Sequence, residues 1–353
     1  MQPAGEARSA GGVRRLWRLS RVLAGAGILG LLGWRFGSEP VVAAMRVLDG
    51  VTLAAVVSLG ALTTVFSAWR WTVVAQGLGL RIPLGGAIAE YYRSLFVNAV
   101  LPGGVVGDAH RALTHGQAVG DVPRAVKAVV LERAAGQVVL GAAALAVLGL
   151  DRPRLPSSVR AGSGVAMWTV VIGGTVALIA LAAGMITARR LLDRGAAPRW
   201  VVVLWAWAGD VRRALLTSGR RWRILLASAA VLAGHLTTFL IAARAAGSTA
   251  SLLRLVPLLL LALVAMSLPL NVGGWGPREG AMAWAFGTTG LSASQGLTVA
   301  LTYGLCTCVA SLPGAGVVAG RRIALARAGR RSRRRLAATG SGHLEAIGQG
   351  VAQ

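Results

Sequence analysis

Charged residues, and acidic ones above all, are scarce in this sequence. Only 14% of the 353 residues are charged, and 12 of them are acidic, whereas a soluble domain carries about 25% charged residues. These charges are too few to cover a water-facing surface, which excludes a soluble enzyme. The two cysteines, Cys306 and Cys308, lie two positions apart in one apolar stretch. On a helix they point to nearly opposite sides, so neither a disulfide nor a shared metal is expected, and a secreted disulfide scaffold is excluded.

Apolar residues, by contrast, make up 55% of the chain, and 37 basic against 12 acidic residues give a net charge of +25. A surplus of this size is typical of nucleic-acid binders. Here, however, the apolar residues form long blocks and the arginines gather between the blocks, as they do in the cytoplasmic loops of membrane proteins. The sequence therefore predicts a polytopic, all-α membrane protein without a nucleic-acid partner.

Six apolar stretches are long enough to cross a bilayer, which takes about 17–25 residues. These predicted spans are 19–36, 51–76, 125–150, 164–188, 224–246 and 297–320. Two further apolar stretches, 84–101 and 252–270, run directly into glycine-rich turns. We expect a transmembrane domain over 19–320, preceded by a basic tail over 1–18 and followed by a basic, disordered tail over 321–353.

The positions of the arginines predict how the chain is oriented. Nine arginines in 188–223 and eight in 321–335 place these segments and both termini in the cytoplasm. The spans 224–246 and 297–320 already connect them, so the segment 252–290 enters and leaves on one side or crosses twice. Its return arm of about a dozen residues is too short to span at about 1.5 Å per residue, which favours a re-entrant hairpin from the outside. The segment 84–116 is interpreted likewise, as a hairpin from the cytoplasm.

The turns of the two predicted hairpins resemble each other. One has the sequence LPGGVVGDAHR at 101–111, and the other has LPLNVGGWGPRE at 268–279. Their turn residues are Pro102, Gly103, Gly104 and Gly107 in the first, and Pro269, Gly273, Gly274 and Gly276 in the second. With flanking spans of opposite direction, the two hairpins form an inverted repeat, an arrangement in which transporters hold substrate near the midplane. The alternative is that each turn merely joins tightly packed helices.

Charged and amide side chains near these turns are the candidate site. A charge inside a membrane costs several kcal/mol and marks function by default. The candidates are Arg93, Asn98, Asp108, Arg111, Glu132, Arg133, Asn271, Arg278 and Glu279. The four arginines would line a polar cavity and pair with an anionic headgroup, with the acids holding them in place. The alternative is a structural network of ion pairs. Arg70 is predicted to snorkel at the cytoplasmic end of its helix.

Three motifs together resemble a known family. They are YRSLFVNAVLPGG at 92–104 with Gly107, Asp108 and Arg111; LER at 131–133; and the second turn with Arg278 and Glu279. These motifs look like the lysylphosphatidylglycerol synthase transmembrane family of flippase-like membrane proteins. In the full-length synthases this region translocates lipid, and a separate cytosolic domain transfers lysine. Only 33 residues follow Gly320 here, so the resemblance implies a flippase-like protein without aminoacyl transfer.

The sequence thus predicts a multi-pass protein of the bacterial inner membrane that binds an anionic lipid, either a phospholipid or a polyprenyl-phosphate-linked lipid, and moves it between leaflets. No metal-ligand spacing, nucleotide motif or catalytic triad occurs in the sequence, so neither a metal nor a cofactor is expected and the protein is not predicted to be an enzyme. Two alternatives stay open: a membrane-embedded enzyme of lipid or cell-envelope metabolism, and a lipid-binding scaffold without transport. Homo-oligomerisation also stays open.

Overall fold

The computed structural model describes residues 37–46, 49–101, 105–150, 199–267 and 275–321, together with five scattered positions before residue 37. Within these ranges the regular structure is helical, as predicted. The spans predicted at 164–188 and over most of 19–36 lie outside the described residues. So do the loop 151–160, the tail beyond Arg321, and the centres of both turns, 102–104 and 268–274.

Ten α-helices are described within those ranges. In chain order they are α1 (Glu39–Arg46), α2 (Gly50–Gly77), α3 (Leu84–Val100), α4 (Val106–Val119), α5 (Val122–Leu150), α6 (Arg199–Val211), α7 (Ser218–Ala245), α8 (Leu252–Ser267), α9 (Pro277–Thr288) and α10 (Ala293–Ser311). A short π-helical segment, Arg212–Leu216, joins α6 to α7.

Four helical stretches are long and apolar enough to cross a membrane: Gly50–Gly77, Val122–Val147, Ser218–Ala245 and Ala293–Arg321. They coincide with four of the six predicted spans. At about 1.5 Å per residue each is about 40 Å long, more than the roughly 30 Å of hydrocarbon. The shorter α8 is also apolar. The protein is therefore a multi-pass helical membrane protein.

Local sequence determines where these helices begin and end. The Asp49 carboxylate accepts the Thr52 N–H at 2.8 Å and caps α2, and the Ser292 hydroxyl caps α10 in the same way. The loops that follow α4 and α7 contain Gly120 and Gly247 with positive φ, a conformation that other residues rarely adopt.

The same order of elements occurs twice in the chain: a long spanning helix, a pair of shorter helices, and a second long spanning helix. In the first unit α3 and α4 stand between α2 and α5, and in the second unit α8 and α9 stand between α7 and α10. The packing is reciprocal: α3 of the first unit contacts α10 of the second, and α8 of the second contacts α5 of the first. Likewise α2 contacts both α5 and α10, and α7 contacts both α10 and α5. Corresponding helices therefore have corresponding neighbours.

The equivalent helices α2 and α7 form a long, close, antiparallel contact. Gly77 at the end of α2 lies against Ala214, just before α7, whereas Gly234 in the second half of α7 faces Thr63. Between these points Arg70 Nη1 of α2 donates to Ser228 Oγ of α7 at 3.1 Å. A Cβ at Gly77 or Gly234 would overlap these neighbours, so the glycines allow the two helices to approach.

Candidate functional site

Asp108, at the third position of α4, lies at the centre of a hydrogen-bond network. Its carboxylate accepts from Ser94 Oγ at 3.0 Å, Asn98 Nδ2 at 3.2 Å, Arg111 Nη2 at 3.1 Å and Arg133 Nη2 at 2.5 Å. The Asn98 amide oxygen also accepts the Gly107 N–H at 2.7 Å. Gly107 is required here, because a Cβ would collide with the Ser94 backbone. The close approach of α3 to α4 therefore brings the amide and the acid together.

Glu132 on α5 forms a second, fully buried centre. One oxygen accepts from Arg70 Nη2 at 2.5 Å and from Tyr91 Oη at 3.2 Å, and the other accepts from Arg111 Nη2 at 3.2 Å. The Arg111 guanidinium lies between the rings of Trp71 and Tyr91, 4.4 Å from each centroid. Such cation–π contacts stabilise a desolvated arginine. Arg111 thus bridges the two acids.

The second helix pair carries a simpler version of this arrangement. Glu279 occupies the third position of α9, as Asp108 does in α4. It accepts from Arg278 Nε at 2.9 Å and from the Gly276 N–H at 2.7 Å. The Arg278 guanidinium lies over the rings of Trp275 and Tyr303, at 5.0 and 5.2 Å. In both units an arginine is held between aromatic rings beside an acid.

Two glycines make room for guanidinium groups inside the helix bundle. A Cβ at Gly136 on α5 would lie 2.9 Å from Arg70 Nη1, and a Cβ at Gly304 on α10 would collide with Arg278 and with the Trp275 ring. Each glycine lies on the last span of its unit. The positions of the arginines therefore depend on the space that these glycines leave, as well as on the acids.

A cavity of about 250 Å³ lies between the two units. The charged and aromatic groups that line it are Arg133, His235, Trp275, Arg278 and Tyr303, and Asn98 lies beside them. Hydroxyl groups complete the wall: Thr63, Thr64, Thr238, Thr307 and Ser311. Cys306 and Cys308 also border the cavity. No group of three potential metal ligands occurs among the residues that the structure describes.

The charges of the site do not cancel. Three arginines, Arg70, Arg111 and Arg133, share the two carboxylates of Asp108 and Glu132, so this network has a formal charge of +1. Arg70 and Arg111 are buried, but the Arg133 side chain is 42% exposed and borders the cavity. Arg133 therefore presents the surplus positive charge to the cavity.

The predicted site residues separate into four groups. Asn98, Arg133 and Arg278 line the cavity, and Asp108, Arg111, Glu132 and Glu279 form the networks behind them. Arg93 is elsewhere: it pairs with Glu90, which also pairs with Arg321 at the end of the last helical stretch, and it is not among the cavity residues. Asn271 and the turn residues Pro102, Gly103, Gly104, Pro269, Gly273 and Gly274 lie outside the described part of the chain.

The sequence-based expectation for Arg70 was wrong. Arg70 does not snorkel to the membrane surface; it is buried, and the Glu132 carboxylate, 62 residues away in sequence, holds it there. Three acids do pair with an arginine close in sequence, in Glu90–Arg93, Asp108–Arg111 and Glu279–Arg278, but Glu132 does not. Glu132 pairs with Arg70 and Arg111, and its neighbour Arg133 reaches Asp108 instead. Tyr91, Trp71 and His235 were missed, because single aromatic residues on apolar helices carry no sequence signal of their own.

A helical multi-pass membrane protein with arginines buried around a cavity between two similar units is the class that this fold and site define. Residues 18–314 match the lysylphosphatidylglycerol synthase TM region, so the chain belongs to that family, as the motifs predicted. Membership places it among membrane proteins of lipid metabolism or transport. No curated protein and no solved structure matches the chain.

Proposed function

We propose that this protein binds the headgroup of an anionic lipid in the cavity between its two units and moves that lipid between leaflets. The observation that supports this most directly is the pair Arg133 and Arg278. They come from different units, yet they line one cavity. Guanidinium groups bind phosphate in a bidentate manner, and a phosphodiester between them would contact both units at once.

The remaining wall of the cavity favours a particular kind of headgroup. The hydroxyls of Thr63, Thr64, Thr238, Thr307 and Ser311 all donate to backbone carbonyls of their own helices. Because their protons are committed, these oxygens offer lone pairs to the cavity. A phosphodiester whose headgroup carries hydroxyl or ammonium donors satisfies both the arginines and these oxygens, whereas a choline headgroup has no donor to offer.

The repeated architecture supports movement as well as binding. Since α2 and α7 are equivalent and antiparallel, the two units are inverted with respect to each other. We interpret α3 with α4, and α8 with α9, as re-entrant hairpins that enter from opposite sides of the membrane. At about 1.5 Å per residue, the 17 residues of α3 and the 12 of α9 extend only about 25 and 18 Å, less than the roughly 30 Å hydrocarbon layer. Inverted repeats of this kind allow access to alternate between the two sides.

In this proposal the protein resides in the bacterial inner membrane with both termini in the cytoplasm, and it has six spans in all. The arginine-rich segment that contains Arg212, Arg213, Arg220, Arg221 and Arg223 faces the cytoplasm in that orientation. Transport is then either passive or coupled to an ion gradient.

The test is reconstitution into liposomes that contain a fluorescent phosphatidylglycerol, with a membrane-impermeant reductant that reports the fraction in the outer leaflet. The protein is expected to accelerate exchange between leaflets relative to protein-free liposomes. Arg133→Gln and Arg278→Gln should slow exchange at least about tenfold, because a charge-assisted hydrogen bond contributes about 1.5–3 kcal/mol. Arg254→Gln is the matched control, since Arg254 is exposed on α8 and does not line the cavity.

Other outcomes would assign the protein to another class. Exchange at the protein-free rate, for anionic phospholipids and polyprenyl phosphates alike, would overturn transport. If binding persisted without exchange, the protein would be a lipid-binding scaffold. Recovery of a chemically altered lipid would instead identify a membrane-embedded enzyme.

A further inference from the structure

We propose that His235 takes up a proton when an anionic headgroup occupies the cavity, so that headgroup and proton bind together. This inference rests on the proposed function and adds an energy source to it. If one proton accompanies each headgroup, a proton gradient across the membrane can drive lipid movement in one direction.

His235 is one of the residues that line the cavity. It lies on α7, and its ring borders the same cavity as Arg133 and Arg278. Its Nδ1 lies 2.9 Å from the Tyr303 hydroxyl. The Tyr303 ring stacks on Phe239 with centroids 3.6 Å apart and carries the Arg278 guanidinium 5.2 Å from its centroid. One fixed tyrosine therefore positions both the histidine and one of the two arginines.

The hydrogen bond to Tyr303 can persist in both protonation states of His235. A tyrosine hydroxyl both donates and accepts: it donates to Nδ1 of a neutral imidazole and accepts from Nδ1–H of an imidazolium. The other ring nitrogen, Nε2, has no hydrogen-bond partner among the residues that the structure describes. In this scheme Nε2 carries a hydrogen in both protonation states and can donate it to a ligand oxygen, whereas the added proton goes to Nδ1.

Charges on the surrounding helices make protonation depend on the ligand. The cations on the helices around His235 are Arg70 from α2, Arg133 from α5 and Arg278 from α9. Their paired anions are Glu132, Asp108 and Glu279, respectively. The titratable groups of α10 are Tyr303, Cys306 and Cys308. Since Arg133 and Arg278 border the cavity, an imidazolium would add a third cation to it. A phosphodiester adds a negative charge and offsets that repulsion. No titratable side chain of α8 lines the cavity.

Thermodynamic linkage makes the effect reciprocal. The factor by which a bound anion raises the affinity of His235 for a proton is the factor by which the proton raises the affinity of the cavity for the anion. Binding of phosphatidylglycerol should therefore strengthen as the pH falls from 8 to 5.5, by at most about tenfold per pH unit for a single proton. A phosphodiester does not itself titrate in this range, so the dependence reports on the protein.

The experiment measures binding of fluorescent phosphatidylglycerol to the full chain in phosphatidylcholine nanodiscs across this pH range. Calorimetry at one pH in two buffers of different ionisation enthalpy counts the protons taken up. For the wild type we expect tighter binding at low pH and uptake approaching one proton per lipid at intermediate pH. His235→Gln should still bind, but with less than about a twofold change over the range. His110→Gln is the matched control, because His110 is exposed on α4 and should retain the full dependence.

The wild-type measurement alone can overturn the inference, whether or not His235→Gln folds. Binding that is independent of pH, with no proton uptake, would refute proton coupling and leave the proposed function intact. A full pH dependence in a folded His235→Gln variant would show that another group takes the proton. Absence of binding at every pH would overturn the proposed function, and this inference with it.

Discussion

The guanidinium of Arg278 occupies the space that a side chain at Gly304 would need. Gly304→Ala should therefore displace Arg278 from the rings of Trp275 and Tyr303. We expect lipid exchange to slow at least about tenfold, since charge-assisted contacts contribute about 1.5–3 kcal/mol, while the helix itself tolerates alanine well. The assay is the liposome exchange measurement. Gly141→Ala is the control, because nothing lies within 4 Å of its Cβ position; equal loss in both variants would contradict this role of Gly304.

Glu132 holds the buried part of the network together. Its carboxylate is fully buried between Arg70 and Arg111. Glu132→Gln therefore leaves Arg70 without its carboxylate partner and leaves Arg111 with Asp108 alone, which it shares with Arg133. Breaking a buried ion pair on one side costs about 3–5 kcal/mol. We expect a markedly lower midpoint of thermal unfolding in detergent. Glu39→Gln on the exposed end of α1 is the control, and an unchanged midpoint for Glu132→Gln would show that the network does not stabilise the fold.

Much of the helical framework could be predicted from the sequence, because a bilayer imposes a minimum length on every span. The runs 51–76, 125–150, 224–246 and 297–320 correspond to the four candidate membrane helices within the described residues. The acids after the two turns were also found, since Asp108 and Glu279 stand out in apolar surroundings. The local composition of the sequence is therefore sufficient to predict the spans and these two acids.

The partners of the charged residues could not be predicted in the same way. Arg70 lies near the end of an apolar helix, where snorkelling is the ordinary behaviour, and nothing near it in sequence indicates a partner 62 residues away. Gly136 is the one sequence feature that could have indicated the pairing of Arg70 with Glu132. It follows Glu132 by four positions, on the same helix face, and leaves space for the Arg70 guanidinium. Which of several nearby arginines pairs with a given acid, as Arg133 pairs with Asp108, depends on how α3, α4 and α5 pack.

Outside the membrane spans, Asp210 connects α6 to α5. The Asp210 carboxylate accepts from Lys127 Nζ at 2.7 Å, and the Lys127 ammonium lies 5.2 Å from the Trp207 ring centroid. The hydrogen bond from Lys127, followed by that from Arg213, lowers the pKa of Asp210 below its ordinary value of 3.8. Because the folded pKa is depressed, the stabilisation is complete above about pH 4 and is lost as the pH falls through the folded pKa.

Asp210→Asn should reproduce this acid effect at neutral pH. We expect faster amide hydrogen exchange over residues 199–216, measured by mass spectrometry, with little change elsewhere. Asp121→Asn is the matched control, since Asp121, directly before α5, pairs with Arg124 in the first turn of that helix and should leave α6 unaffected. Unchanged exchange over 199–216 in Asp210→Asn would mean that other contacts dock α6.

The inverted arrangement predicts that loops at equivalent positions lie on opposite sides of the membrane. Arg81 follows α2, and Ser251 follows α7; both are exposed. In a background with Cys306→Ala and Cys308→Ala, Ser251→Cys should react with a membrane-impermeant maleimide in intact cells. Arg81→Cys should react only after the membrane is permeabilised. Because α2 and α7 are antiparallel and each is long enough to span, labelling of both positions from the same side would overturn the inverted repeat and, with it, the alternating access that the proposed transport requires.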